Sequence, residues 1–318
     1  MTKPLVLLDV PLLPFVHAQV EPFCEMCLWP IVTSGDRQKL NAIQGIYTYG
    51  HPIVDGPLLD RLPSVRVISN FGVGVDHIDV KAAAARGIPV GNTPGAVDAA
   101  TADMTMALLL ASARNIVAGD KFARGPKFTH YDPGHLLGLE VYGSTLGIVG
   151  MGRIGVKVAK RAKGFDMRVL YHNRHRDLGA ESALGVEYAT LDRLLAESHF
   201  VSLNVPLTPE TTRFIGERQL RLMRQDALLI NIARGPVIDQ GTLLRALKEG
   251  WIAGAAIDVT DPEPLPRDHP LLELENLLIT PHLGSATVRA RRHMGEMAAA
   301  NLAAGLKGEP LPNAVAPK

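Results

Sequence analysis

Three apolar stretches of this chain end in polar groups suited to anion and proton chemistry. Asn231-Ile232-Ala233-Arg234-Gly235 carries an arginine after a hydrophobic run. Asp258-Val259-Thr260-Asp261-Pro262-Glu263-Pro264 carries a glutamate between prolines, and Thr280-Pro281-His282-Leu283-Gly284 carries a histidine. A guanidinium holds a carboxylate through a planar fork of donors and also polarises a carbonyl. An imidazolium delivers a proton near neutral pH, and a carboxylate bonded to it fixes its tautomer and favours its charged form. Singly, each is an ordinary loop residue. They gain meaning if one scaffold brings them to one edge.

The scaffold is written in Thr145–Gly155, TLGIVGMGRIG. Leu146–Val149 reads as a short buried strand, and Arg153–Lys163 as a helix with small or apolar residues at Ile154, Val158, Ala159 and Ala162. Between them Gly150, Gly152 and Gly155 form G-x-G-x-x-G: a tight turn, an approach for a pyrophosphate, and close helix–strand packing. The phosphates of a dinucleotide would face the N–H groups of a helix N-terminus. The next strand, Met167–Tyr171, should present an acidic residue to the ribose of NAD. It ends instead in His172-Asn173-Arg174-His175-Arg176, with no carboxylate before Asp177. An arginine there suits a 2′-phosphate, which predicts NADPH as the preferred cofactor, with NAD possible. With such a cofactor, Arg234, His282 and Glu263 become a substrate anchor, a proton donor and its partner for hydride transfer to a 2-oxo acid.

Strand and helix signals alternate along the chain, as in a parallel sheet flanked by helices. Before residue 98 the expected strands are Leu5–Asp9, Gly45–Thr48, Val65–Ser69 and Pro89–Gly91, with helices around Pro57–Arg61 and Val80–Arg86. The loop Asn70–Asp76, NFGVGVD, follows a strand and offers backbone N–H groups to an anion. Later strands are expected at Phe200–Val205, Ala227–Ile232, Ala253–Val259 and Leu277–Thr280, with a helix at Gln240–Glu249. Two long helices, Asp98–Val117 and Ser285–Leu306, stand out, and Gly119–Gly143 has no clear period.

Composition narrows the class. The 318 residues are 47% hydrophobic and 20% charged, ordinary for a globular protein of two domains. A net charge of +1 without a dense Lys/Arg block argues against nucleic acid as a partner. Met1-Thr2-Lys3-Pro4 does not open a signal peptide, and Ala96–Val117 carries Asp98, Asp103 and Arg114, so neither secretion nor a membrane span is expected. The expected location is the cytoplasm. Cys24 and Cys27 form a C-x-x-C among Phe23, Met26, Leu28 and Trp29, which reads as buried apolar packing; no metal site is expected.

GIVGMGRIG, LNVPLTPET, NIARGPVID, AIDVTDPEPLP and ITPHLGSAT, with SNFGVGVDHIDV upstream, together resemble the D-2-hydroxyacid dehydrogenase family over nearly the whole chain. DVTDPEPLP, HPLL and PHLGSAT are most similar to its glyoxylate/hydroxypyruvate reductase branch. The resemblance implies that Arg234 binds substrate carboxylate and carbonyl, that Glu263 pairs with the catalytic His282, and that Val73 and Gly74 hold the substrate carboxylate. Cofactor contacts would come from Gly150, Gly152, Arg153, Ile154, Gly155, Asn173, Arg174, Val205, Pro206, Thr211, Ile232, Asp258, His282 and Gly284, with Asp258 near the nicotinamide carboxamide.

It also implies two doubly wound parallel-sheet α/β domains: a flavodoxin-like substrate domain (1–98 and 288–318) and a Rossmann cofactor domain (99–287). The two long helices would link them, in a homodimer. Nothing at the C-terminal end resembles a regulatory domain. Alternatives on the same scaffold are a 2-ketogluconate reductase, another 2-hydroxyacid dehydrogenase, a phosphite dehydrogenase, or a formate dehydrogenase, which would carry glutamine where Glu263 stands. A dinucleotide-sensing transcriptional co-regulator is the non-enzyme alternative.

Overall fold

The computed structural model describes residues 3–317. Met1 and Thr2, which open the leader reading, and Lys318 lie outside the described residues. The chain divides into two compact units, Met1–Val97 with Thr287–Lys318, and Asp98–Ala286. It passes between them at 97/98 and 286/287, one residue earlier at each crossing than the sequence suggests. Each long helix starts at a crossing and belongs to the unit it enters.

In the smaller unit, β1 (Leu5–Leu8), β2 (Glu25–Leu28), β3 (Ile43–Thr48), β4 (Ile68–Asn70) and β5 (Val90–Gly91) form a parallel sheet ordered 2-1-3-4-5. That is the flavodoxin-like order. Side chains alternate across it: Val6 and Leu8 enter the core beneath the helix Val288–Lys307, and Leu7 enters the core on the other face. Each fully buried aliphatic contributes roughly 1.5–3 kcal/mol, which fixes the register. The edge strand β5 is covered by a later segment, with Gly91 bridging Ala314 and the Val315 N–H donating to the Val90 carbonyl at 2.7 Å. Ser69 on β4 donates to the Ala298 carbonyl at 2.7 Å, and the buried Asn301 donates to the Asn92 carbonyl at 2.9 Å.

In the larger unit, β6 (Thr145–Val149), β7 (Arg168–His172), β8 (Glu187–Tyr188), β9 (Phe200–Leu203), β10 (Leu228–Asn231), β11 (Gly254–Ile257) and β12 (Leu277–Ile279) are parallel, in the order 12-11-10-9-6-7-8. Counted within the unit this is 3-2-1-4-5-6 with a seventh strand added, the Rossmann order. β6, β9, β10 and β11 are buried along their whole length between two layers of helices.

Four expectations need correction. The helix from Asp98 stops at Ala113, because Asn115 adopts a left-handed turn (φ 51°) that asparagine tolerates. A second helix, Ile116–Arg124, follows with no buried residue, running from the end of the expected helix into the stretch that has no sequence period. The last long helix begins at Val288 rather than Ser285, because Thr287 caps it by accepting from the Ala290 N–H. Strands β2 and β8 escape the sequence reading altogether. Both are edges, and their half-exposed residues break the apolar run.

Cys24 and Cys27 point into the cores on opposite faces of the smaller sheet. Burial pushes the Cys24 thiol up to about 11 and raises that of Cys27. Among the described residues no helix is long and apolar enough to cross a membrane, and no cluster of three or more His, Cys, Asp or Glu is placed to hold a metal.

Candidate active site

Parallel strands present all their C-terminal ends to one edge of the sheet, spaced about 4.8 Å apart. In the larger unit that edge carries Gly150 after β6, Asn173 after β7, Asn204 after β9, Arg234 after β10, Asp258–Glu263 after β11 and His282 after β12. The order reverses between β6 and β9, and such a switch point is where open α/β sheets take ligands.

At the switch point Gly150 adopts φ 99°, and a Cβ there would lie 2.8 Å from the Asn204 carbonyl carbon. Only glycine fits. A Cβ on Gly155 would collide with the Gly150 carbonyl oxygen, so turn and helix press together. Gly152 caps the helix Arg153–Ala162, and a Cβ on it would meet nothing within 4 Å. That open face beside helical N–H groups fits a pyrophosphate, with Arg153 and Ile154 opening the first turn. Asn173 steadies the loop, its Oδ1 accepting from the Met151 N–H at 2.7 Å.

Arg174 is exposed beside it. The Glu210 carboxyl is held below its ordinary range mainly by the Thr208 hydroxyl, then by its own backbone amide, and further by the charge of Arg174. Val205, Pro206 and Thr211 lie in the same loop as Glu210, where the Thr211 hydroxyl donates to the Pro206 carbonyl at 2.6 Å. Arg176 is engaged elsewhere, paired with Glu181 at 2.6 Å. The Asp177 carboxylate is used as the cap of the helix Leu178–Leu184, accepting from the Ala180 N–H.

The three neighbouring ends β10, β11 and β12 bring the reactive side chains to adjacent positions. His282 Nδ1 lies 2.6 Å from Glu263 Oε1, with the two side chains 30% and 40% exposed. They are thus bonded to each other yet open to a reactant. His282 sits in the left-handed region at φ 56°, a strained conformation for a side-chain-bearing residue. Its N–H donates to the Asp258 carbonyl at 2.9 Å, and the buried Asp258 carboxylate accepts from Thr280 (2.6 Å), Leu283 (2.7 Å) and Gly284 (2.7 Å). Asp258 thereby shapes the whole loop that presents His282. Ile232 lies on the other side of Gly284, 3.5 Å from where a Cβ would stand.

Two positioning residues escaped the sequence reading. Asn231 is buried, donates to the Arg234 carbonyl at 2.9 Å and accepts from the Ala233 N–H at 3.0 Å, locking the turn that carries Arg234. Its signal was a polar residue ending an apolar run. Gln240 brackets Asp261 with both ends of its amide, accepting from its N–H at 2.9 Å and donating to its carbonyl. No local pattern marks it. A Cβ on Gly235 would collide with the Thr260 carbonyl, so the turns after β10 and β11 are in direct contact.

In the smaller unit, Val73 and Gly74 lie in the loop after β4, and their carbonyls accept from Asn92 and Asn70, each at 2.8 Å.

The family model "D-isomer specific 2-hydroxyacid dehydrogenase, NAD binding domain" matches residues 106–284. A glyoxylate reductase of Korarchaeum cryptofilum is 52% identical over 263 residues, 82% of this chain and 79% of that protein. The crystal structure of the TT0316 protein of Thermus thermophilus superimposes with a TM-score of 0.89 at 42% identity, covering 98% of this chain and 100% of the other. The NADPH-dependent glyoxylate/hydroxypyruvate reductase of Sinorhizobium meliloti, solved with NADP and malonate, gives a TM-score of 0.89 at 30% identity, covering 99% and 98%.

Proposed function

The chain belongs to the D-isomer specific 2-hydroxyacid dehydrogenases, NAD(P)-dependent oxidoreductases, and from that premise we propose that it reduces small 2-oxo acids, glyoxylate and hydroxypyruvate first, with NADPH preferred over NADH. Products that are chiral would be D-2-hydroxy acids. The observation that carries the reading is the 2.6 Å contact between His282 and Glu263, one strand end from the next and beside Arg234.

When bound, the nicotinamide supplies the hydride. Gly150–Gly155 would hold the phosphates at the helix N-terminus, and Arg174 the 2′-phosphate. Arg234 binds the carboxylate and draws electron density from the carbonyl oxygen. His282 gives its proton to that oxygen as negative charge develops there, while Glu263 holds the imidazole in the tautomer that presents Nε2. Val73 and Gly74 bind the carboxylate through backbone N–H groups.

NADPH preference is supported by the exposed Arg174 and by the diversion of Asp177 to helix capping. A homodimer is supported by apolar residues exposed after the first long helix, among them Ile116, Phe128, Tyr131, Leu137 and Tyr142. Two unpaired thiols suit a reducing compartment, the cytoplasm. Initial rates for a panel of 2-oxo acids with each reduced cofactor test the proposal. Glyoxylate and hydroxypyruvate with NADPH should lead the panel. Faster reduction of a sugar-derived 2-oxo acid would move the assignment to a 2-ketogluconate reductase, and equal efficiency with NADH would remove the cofactor preference. Light scattering on the eluting peak reads the mass of the assembly.

A further inference from the structure

We propose that Asn70, supported by Asn92 and Thr93, is a positioning residue that turns a strip of backbone N–H groups outward to receive the substrate's carboxylate; this rests on the 2-oxo-acid reading above. The Asn70 amide nitrogen lies 2.8 Å from the Gly72 carbonyl and 2.8 Å from the Gly74 carbonyl. Only an NH2 group with two hydrogens can satisfy both acceptors. The other end of the same amide accepts from the Thr48 hydroxyl at 2.8 Å, so the group cannot flip without losing all three bonds. Asn92 holds the Val73 carbonyl at 2.8 Å, and the Thr93 hydroxyl holds that of Phe71 at 2.9 Å.

Four consecutive carbonyls, Phe71 to Gly74, thus point at three side chains. Across a trans peptide the N–H points opposite to the C=O. The N–H groups of Gly72, Val73, Gly74 and Val75 are therefore directed away from Asn70, Asn92 and Thr93, and none of them meets an acceptor among the described residues. A run of N–H groups with its carbonyls tied back is a pre-formed anion cradle. Asn70 is 2% exposed and Thr48 and Thr93 are fully buried, so the hold is sheltered from water and from the anion itself. Asn70 does not touch the carboxylate. It decides whether the donors that do are already arranged.

Asn70→Asp keeps the shape and replaces the two donors with an oxygen facing two carbonyls. For a folded variant, with thermal midpoint checked, the KM for glyoxylate and the inhibition constant of oxamate should both rise about tenfold or more. At saturation kcat should stay within about threefold, with the pH profile and NADPH binding unchanged. A folded variant with unchanged KM and oxamate inhibition, or one that loses only kcat, overturns the proposal. If Asn70→Asp does not fold, Asn92→Ala removes the donor to one carbonyl and should raise both constants several-fold; no rise overturns the proposal. If the intact protein reduces no 2-oxo acid, the functional reading falls by itself. Oxamate binding by calorimetry then decides the cradle: binding weakened by the variant supports it, and equal or absent binding overturns it.

Discussion

The two sheets share a handed, parallel architecture and place their loops at the same kind of edge, yet they equip that edge differently. The larger sheet ends its strands in side chains with charge or a mobile proton: Arg174, Arg234, Glu263 and His282. The smaller sheet, at the loop after β4, offers main-chain N–H groups, with side-chain amides tying back the carbonyls. Backbone N–H groups do not titrate at working pH, so such a loop would recognise an anion without reacting with it. Under the proposed function one fold plan would serve recognition in one unit and chemistry in the other, the difference lying in which atoms reach the edge.

The harshest break of that contrast is His282→Ala. It should lower kcat by about 10²- to 10⁴-fold, the usual range for a general acid, while NADPH affinity measured by fluorescence is retained. If activity survived, proton delivery would not reside on the larger sheet.

Arg174→Ala should weaken NADPH by about one to two decades in KM, from the roughly 1.5–3 kcal/mol of a charge-assisted bond. NADH should hardly change, and parallel loss with both cofactors would place Arg174 outside phosphate recognition.

Glu263→Gln keeps the shape of the partner but removes its charge. It can still orient the imidazole but no longer offsets its positive charge, so kcat should fall by about tenfold, less than for His282→Ala, with NADPH affinity retained. An unchanged kcat would mean that Glu263 plays no part in proton delivery.

The smallest effect sharpens the other side of the comparison. The raised thiols of Cys24 and Cys27 are protonated at pH 8, so a thiol reagent should label the folded protein slowly and Cys24 last. Fast labelling of both in the folded state would show that the smaller sheet exposes reactive side chains after all.

The legible parts of the chain are those where one local rule acts alone. Gly150 and Gly152 sit between a fully buried strand and an amphipathic helix, and Gly155 in that helix's first turn, so pattern and turn chemistry agree. Arg234, Glu263 and His282 stood out as charged groups ending apolar runs, although nothing local said that their strands are neighbours. Edge strands β2 and β8 were silent because an edge buries too little to print a period. Gln240 was silent for another reason: it acts across 21 residues on a backbone that its own helix does not reveal. Asn115 broke a helix that composition favoured, since a single left-handed residue outweighs the propensities around it.

The helix Val288–Lys307 and the strap at Ala314 complete the smaller unit from residues that follow the whole of the larger one. During synthesis the larger unit is therefore contiguous and finished in the nascent chain while the smaller sheet still lacks one of its two covers. Its face of Val6, Leu8 and Tyr47 must wait, open to water, for the helix Val288–Lys307, more than 240 residues downstream. The loop Asn70–Asp76 thus belongs to the unit that is completed last, whereas the turn Gly150–Gly155 belongs to one that is whole before it.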